Sequence, residues 1–389
     1  MSAKSAIKAR LTKACTSLEV PGLVAVANVG VSSILNVKLE TFRYAEAFGV
    51  SSLKQGKTHD ALKLDSTFYL ASATKLLTAI SALQCVERGQ LNLDEDVTHW
   101  LPELKDLEIL TGFDDKGKPM LQWRQITGIP LPAKKLPVVE YFNVPLLFEP
   151  GSSYMYSTGY DFAGVMVARA NSTTLNAYME KHIFQPLGLW NLTLNPDSKP
   201  DVLAGQVDLS MRTGGTHPVF GTAIDSSAPL TYSPLMNLGD SLEDASGGAG
   251  GSGSLLDYSK ILKSLAADDG KLLASEMLDE LFRPQLKDSA LTKFKEFLSI
   301  KEMNNIMAGM GVGVDANHAL GGAVVLEDIP GGRRKGTMTW AGLPNVYWWV
   351  DRVAGISGVF GTQIVPTGDE KCIELFRVFE DFVYAVRKV

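Results

Sequence analysis

The sequence predicts an α+β fold: one antiparallel sheet built from both ends of the chain, flanked by N- and C-terminal helices, with a mostly helical lobe inserted between them. Three observations predict it. Short alternating apolar runs lie near both termini, helical apolar patterns open and close the chain, and helical periodicity with loop-rich composition fills the middle. On this division residues 1–65 and 250–389 form the sheet lobe, and residues 66–249 form the inserted lobe.

The elements follow in order. Residues 3–17 form an amphipathic helix with Ile7, Leu11 and Leu18 on one side, stopped by Pro21-Gly22. Leu23 to Val29 and Leu39 to Val50 form two antiparallel strands. From Ser72, the residues Leu76, Leu77, Ile80, Leu83 and Val86 recur at helical spacing, and Gly89 ends the helix. Residues 101–148 and 195–250 are loop-rich. Helices are expected over Asp161 to Ala170, Leu175 to Phe184, Leu255 to Ala267 and Ser275 to Phe282. Gly336 to Ala341, Val346 to Val350 and Ile356 to Val365 are three consecutive strands. Lys371 to Val386 puts Ile373, Phe376, Phe379, Val383 and Val386 on one helical face, as a helix covering a sheet does.

Bulk properties narrow the function. A net charge of -6 and a pI near 5.5 oppose nucleic-acid binding, which needs a basic face. No run of about 18 apolar residues occurs, so no membrane span is expected. The N-terminal segment is charged every few residues and has no apolar core, which predicts a cytoplasmic protein. Cys15, Cys85 and Cys372 are few and widely spaced, as buried reduced thiols are. A monomer without cofactor is expected.

The chemistry centres on Ser72-Ala73-Thr74-Lys75. Positions i and i+3 share a helix face, so the hydroxyl and the amine can meet. A serine needs a base to become a nucleophile, and an amine serves only where burial and positive potential favour its neutral form. Taken alone, the four residues better describe a capping serine beside a solvated lysine. Their setting favours the nucleophile: the apolar run Phe68 to Ala71 delivers the serine to the start of an apolar helix. Tyr156, after the Pro150-Gly151 turn, is a candidate to share the proton in a Ser–Lys–Tyr relay, with Tyr154 as its competitor. Trp340-Ala341-Gly342-Leu343 ends a strand in small residues against which a substrate can lie, and its amide with that of Ser72 would form an oxyanion hole.

In this order the pieces resemble the serine β-lactamase-related superfamily, class C β-lactamases and family VIII esterases in particular, and most of all the fungal acyltransferases that acylate a statin precursor. The resemblance is carried by Ser72 to Lys75 and the helix to Gly89, by Gln90 to Val97, by Pro145 to Gly151 and by Tyr156-Ser157. It continues through Ser246 to Ser254 and Trp340 to Gly342, followed by Leu343 to Asp351. It implies Ser72 as the acylated nucleophile, Lys75 and Tyr156 as the pair that takes and returns its proton, and an oxyanion hole from Ser72 and a residue near Leu343. The expected activity is transfer of an acyl group from a thioester or ester donor to a hydroxyl of a secondary metabolite. An acyl carrier protein or coenzyme A is a candidate donor, and ester hydrolysis is the alternative activity.

Three departures bear on this. Penicillin-processing relatives place Asn two residues after the tyrosine, where this chain has Thr158. They carry Lys-Thr-Gly where this chain has Trp340-Ala341-Gly342, and the absent lysine argues against a β-lactam carboxylate. The family's segment ahead of the tyrosine, with its His-Thr-Ser-Gly-Leu, is missing around residues 117–130. That gap keeps open a catalytically impaired binding protein.

The remaining signals are weaker. Gly247 to Gly253 has loop before it rather than the strand a phosphate loop needs. The resemblance implies a backbone turn beneath the site there. His59, His99, His182, His217 and His318 lack metal-ligand spacing, so no metal is expected, and His217 sits in a loop that is a candidate to face the cleft. Arg333-Arg334-Lys335 is a solvated turn by default, or a greeting surface for an acidic donor. Trp348 and Trp349 are expected in the sheet core.

Overall fold

A computed structural model describes residues 2–32, 37–56, 60–110, 112, 135–213, 225–234, 242–307 and 309–387. Its centre is a seven-stranded antiparallel sheet of β1 (Gly22–Ser32), β2 (Val37–Gly49), β8 (Ala316–His318), β9 (Ala323–Val325), β10 (Met338–Gly342), β11 (Val346–Asp351) and β12 (Ile356–Gly361). The order is β2-β1-β12-β11-β10-β9-β8, so β1 pairs directly with β12, Val24 opposite Gly361 and Val29 opposite Ile356. The two chain ends thus share one sheet, and the fold is α+β as predicted.

Side chains alternate across the strands, and each face has its own core. Leu23, Ala25, Tyr347 and Trp349 point one way, under the helices α1 (Ala3–Thr16) and α7 (Glu370–Arg387), where Ile7, Leu11, Phe376, Phe379 and Val383 cover them. Val24, Val26, Trp348 and Val350 point the other way, into a core shared with α2 (Thr74–Glu87) and α4 (Leu255–Ala267). Trp348 and Trp349, neighbours in sequence and both fully buried, therefore anchor opposite cores. Between α2 and α4 in the chain lies α3 (Gly159–Ala170), and after α4 come α5 (Ser275–Phe282) and α6 (Asp288–Ser299).

Several details differ from the sequence prediction. Helix α1 ends at Thr16, and Leu18 adopts a left-handed φ of 54° and stands 55% exposed, outside the apolar face. The run Ile356 to Val365 is not one strand. It breaks after Gly361, and β13 (Ile364–Val365) joins a separate sheet in the order β13-β5-β6 with β5 (Leu209–Arg212) and β6 (Leu230–Ser233). The break is used: Gln363 turns its amide to Tyr69, accepting from the Tyr69 N–H at 3.1 Å and donating to the Tyr69 carbonyl at 3.2 Å. The hairpin β8–β9 was not anticipated from its few apolar residues. The first of the three predicted strands starts as a turn, Gly336 having φ +86°, and runs on to Gly342.

The basic cluster also divides. Arg333 is 2% exposed and donates to Glu380 at 2.7 Å, while Arg334 and Lys335 both bond Asp328. Neither default solvation nor a greeting surface describes Arg333, because a guanidinium at that depth needs its carboxylate. All three cysteines are free and buried, and burial pushes the Cys15 thiol up to about 12. Among the described residues no helix is long and apolar enough to cross a membrane.

Candidate active site

The turn that presents Ser72 is held from every side. Strand β3 (Thr67–Tyr69) leads into it and pairs with β7 (Ser252–Ser254), which also takes β4 (Leu192–Thr193). Leu70 N–H donates to Gly251 O at 2.8 Å, Tyr258 Oη donates to Ala73 O at 2.9 Å, and Thr74 Oγ1 donates to Ala71 O at 2.6 Å. Ala71, directly before the nucleophile candidate, takes a φ of 42°. A left-handed alanine costs on the order of 1 kcal/mol and persists only where neighbours over-determine it. Ser72 lies in a short 3₁₀ turn one residue ahead of the α2 cap position, Ala73, so its hydroxyl does not serve as the helix cap.

Helix α2 is buried on nearly all sides, not along one stripe. Leu76, Leu77, Ile80 and Leu83 are at most 1% exposed, and Thr78, Ser81 and Gln84 are also buried. Burying each large apolar side chain contributes roughly 1.5–3 kcal/mol, which fixes the helix and the pair at its start. Gly89 follows its end with φ +68°, as predicted.

The three predicted side chains meet. Tyr156 Oη lies 2.6 Å from Ser72 Oγ, and Lys75 Nζ donates to the same Ser72 Oγ at 3.2 Å. Lys75 is 5% exposed, and its second partner is the Gly248 carbonyl at 2.7 Å. Its Nζ also stands 4.8 Å from the centre of the Tyr156 ring and 5.8 Å from that of Tyr160, within cation–π range. Tyr156 is 39% exposed, so the triad opens to solvent on that side.

Tyr154 is turned elsewhere. Its ring packs on Phe294 and His318, with centroids 4.9 and 5.9 Å apart, and burial pushes its phenol up, so it stays protonated. Trp340 lies 2% exposed and stacks on Tyr156, centroids 5.9 Å apart at 29°. Strand β10 reaches the Ser72 turn at Gly342, where a Cβ would lie 2.1 Å from Leu70 O and 3.5 Å from Ala73 N. Only glycine permits that approach. It sets the Trp340-Ala341-Gly342-Leu343 end against the Ser72 backbone, and Thr367 Oγ1 bonds the Leu343 carbonyl.

Four residues of the site were missed by the sequence. Tyr160, whose phenol is also pushed up by burial, donates to Leu320 O at 2.7 Å. Asp161 and Ser246 form the floor under Gly248, within the glycine run singled out above. His318 packs edge-on against Trp340 at 5.1 Å. Burial holds its imidazole at about 4, and the Lys75 charge adds to this while a backbone hydrogen bond at Ala319 opposes it. His318 is therefore neutral at pH 7. No signal in its spacing marked it. Among the described residues no group of three or more His, Cys, Asp or Glu is placed to hold a metal. His59 and His217 lie outside the described residues, as does the stretch 117–130 where the family segment is missing.

Known proteins share this arrangement's frame. The family model Beta-lactamase matches residues 27–380. The monacolin J acid methylbutanoyltransferase of Aspergillus terreus is 30% identical over 405 residues, covering 96% of this chain and 94% of the relative. The lovastatin esterase of Penicillium rubens is 33% identical, covering 88% and 91%. A solved structure of a mutant simvastatin synthase from Aspergillus terreus matches with a TM-score of 0.85 at 30% identity, covering 99% of this chain and 98% of that one. The 405-residue alignment is longer than this 389-residue chain, so that relative carries residues this chain lacks. With sequence, motif order and fold in agreement, the chain belongs to the Beta-lactamase family.

Proposed function

We propose that this chain is a serine acyltransferase, moving an acyl group from a thioester or ester donor to a hydroxyl of a secondary metabolite through an acyl-enzyme on Ser72. The observation that carries this is the pair of contacts on one oxygen: Ser72 Oγ has Tyr156 Oη at 2.6 Å and Lys75 Nζ at 3.2 Å. The relatives named as a methylbutanoyltransferase and a simvastatin synthase support the transfer reading.

Ser72 Oγ attacks the donor carbonyl while its proton passes to Tyr156 Oη and the phenol's own proton moves on to the Lys75 amine. The new Oγ–C bond forms, the donor C–S or C–O bond breaks, and the proton leaves with the thiol or alcohol. The acceptor hydroxyl then attacks the acyl-enzyme and gives its proton to the same relay. The ester product forms, the Oγ–C bond breaks, and Ser72 Oγ regains its hydrogen. The backbone amides of Ser72 and Leu343 would receive the negative oxygen in both halves. With acyl carrier protein or coenzyme A as donor, the leaving group is a thiol.

Hydrolysis is the second reading. Tyr156 is 39% exposed, so water can reach the relay, and one relative is named an esterase. Intact mass after incubation with a panel of acyl thioesters tests the shared intermediate. The expected result is one added acyl group on the wild type and none on Ser72→Ala. An unmodified wild type sinks both enzyme readings. Ester product rising with millimolar alcohol marks a transferase, and free acid at every alcohol concentration marks an esterase.

A further inference from the structure

Lys75 is held by a carbonyl, and that carbonyl is connected to a buried carboxylate. Asp161 is 5% exposed, in the first turn of α3. Its partners are neutral: Ser246 Oγ donates to Oδ1 at 2.5 Å and Gly248 N–H donates to the same oxygen at 3.1 Å. The positive end of the α3 macrodipole favours a carboxylate at this depth, where no ion pair to it is found among the described residues. Ser246 Oγ in turn accepts from Ala249 N–H at 2.9 Å. Ala249 N–H and the Gly248 carbonyl belong to one planar, conjugated peptide unit. That carbonyl accepts from Lys75 Nζ at 2.7 Å.

The chain of bonds is therefore continuous: Asp161, Ser246 hydroxyl, the 248–249 peptide, Lys75. Hydrogen bonds in series polarise one another in a site of low dielectric. Charge on Asp161 makes Ser246 Oγ a better acceptor, which draws on the peptide N–H and leaves the carbonyl oxygen more negative where the amine binds. The glycines make this possible. A Cβ on Gly248 would fall 2.4 Å from Asp161 Oδ2, and one on Gly247 would fall 2.4 Å from Tyr160 O.

We infer that Asp161 is a positioning residue that orients Lys75 against Ser72 through Ser246 and the Gly248–Ala249 peptide, an inference that rests on the acyl-enzyme reading above. Neither Asp161 nor Ser246 touches Ser72 or Tyr156, so both act only through the amine.

The test uses the full chain with p-nitrophenyl acetate for kcat and KM, and a fluorophosphonate with intact mass to count labelled Ser72. Asp161→Asn and Ser246→Ala each lower kcat at least tenfold with KM held within about twofold, the signature of lost transition-state stabilisation. Because the two residues act in series, the double variant falls no further than the weaker single, and the two losses do not multiply. Wild-type kcat in both single variants, with Ser72 labelled in the wild type, overturns the inference and leaves the acyl-enzyme reading intact. Losses that multiply in the double variant also overturn it, since they describe two separate structural roles. An unlabelled wild-type Ser72 removes the acyl-enzyme reading and this inference together. If Asp161→Asn does not fold, Ser246→Ala decides alone, because it leaves the Asp161–Gly248 bond in place.

Discussion

Acidification should destabilise this protein through His318. Its imidazole is held at about 4 by burial, against an ordinary value of 6.5. Between those values the unfolded chain binds a proton that the folded chain refuses, so stability from the neutral ring is complete above pH 6.5 and is lost as the pH falls toward 4. The gap is worth about 3 kcal/mol, of which about 2 kcal/mol disappears between pH 7 and pH 4.5. Partial solvent contact of the residue makes these upper values. The cause is local: the ring lies among Trp340, Phe294 and Tyr154, and the Lys75 charge opposes a second positive charge there. Urea unfolding followed by tryptophan fluorescence at pH 7 and pH 4.5 measures it. The wild type should lose about 2 kcal/mol more than His318→Phe, which keeps an aromatic ring and cannot titrate. Parallel losses in the two proteins would show that another group carries the acid sensitivity.

Three further outcomes follow from the site. Tyr156→Phe should lower kcat by about 10²–10⁴, while Tyr154→Phe, remote from Ser72, should stay near the wild-type rate; steady-state ester hydrolysis compares them. Gly342→Ala should drive a Cβ into Leu70 O, 2.1 Å away, and lower stability by about 3 kcal/mol with loss of Ser72 labelling, whereas Gly332→Ala, whose nearest neighbour is 3.6 Å off, should melt like the wild type. Lys75→Ala should abolish labelling of Ser72 by a fluorophosphonate, read by intact mass, and labelling at the wild-type rate would move the base role to Tyr156 alone.

Much of the fold was legible because its signals are periodic. The continuous apolar run from Val346 reports a strand buried on both faces, and the helical spacing of Ile373, Phe376 and Phe379 reports a helix buried on one, which is what a central strand and a covering helix need. Where burial carries no period, the signal vanishes. Strands β8 and β9 have three residues each, too few to show alternation. The β12–β13 break is set by Gln363 reaching Tyr69 across 294 positions of sequence, which no local pattern encodes.

The site divides along the same line, with one addition. Ser72 and Lys75 were legible because their meeting needs only a helix turn, and Tyr156 and Trp340 because their order in the chain matched a known pattern. Asp161, Ser246 and His318 act on those residues from behind, through a peptide unit and through ring faces. A glycine pair was visible in the sequence, but what it admits was not: Tyr160 O and Asp161 Oδ2 each lie 2.4 Å from where a Cβ on Gly247 and on Gly248 would fall. A glycine run under a nucleophile is therefore better read as an address for a buried partner than as a flexible turn. Here the address leads to a carboxylate, and the same logic predicts that exchanging Gly248 for Ala should injure turnover by displacing Asp161, although the glycine itself has no side chain to contribute.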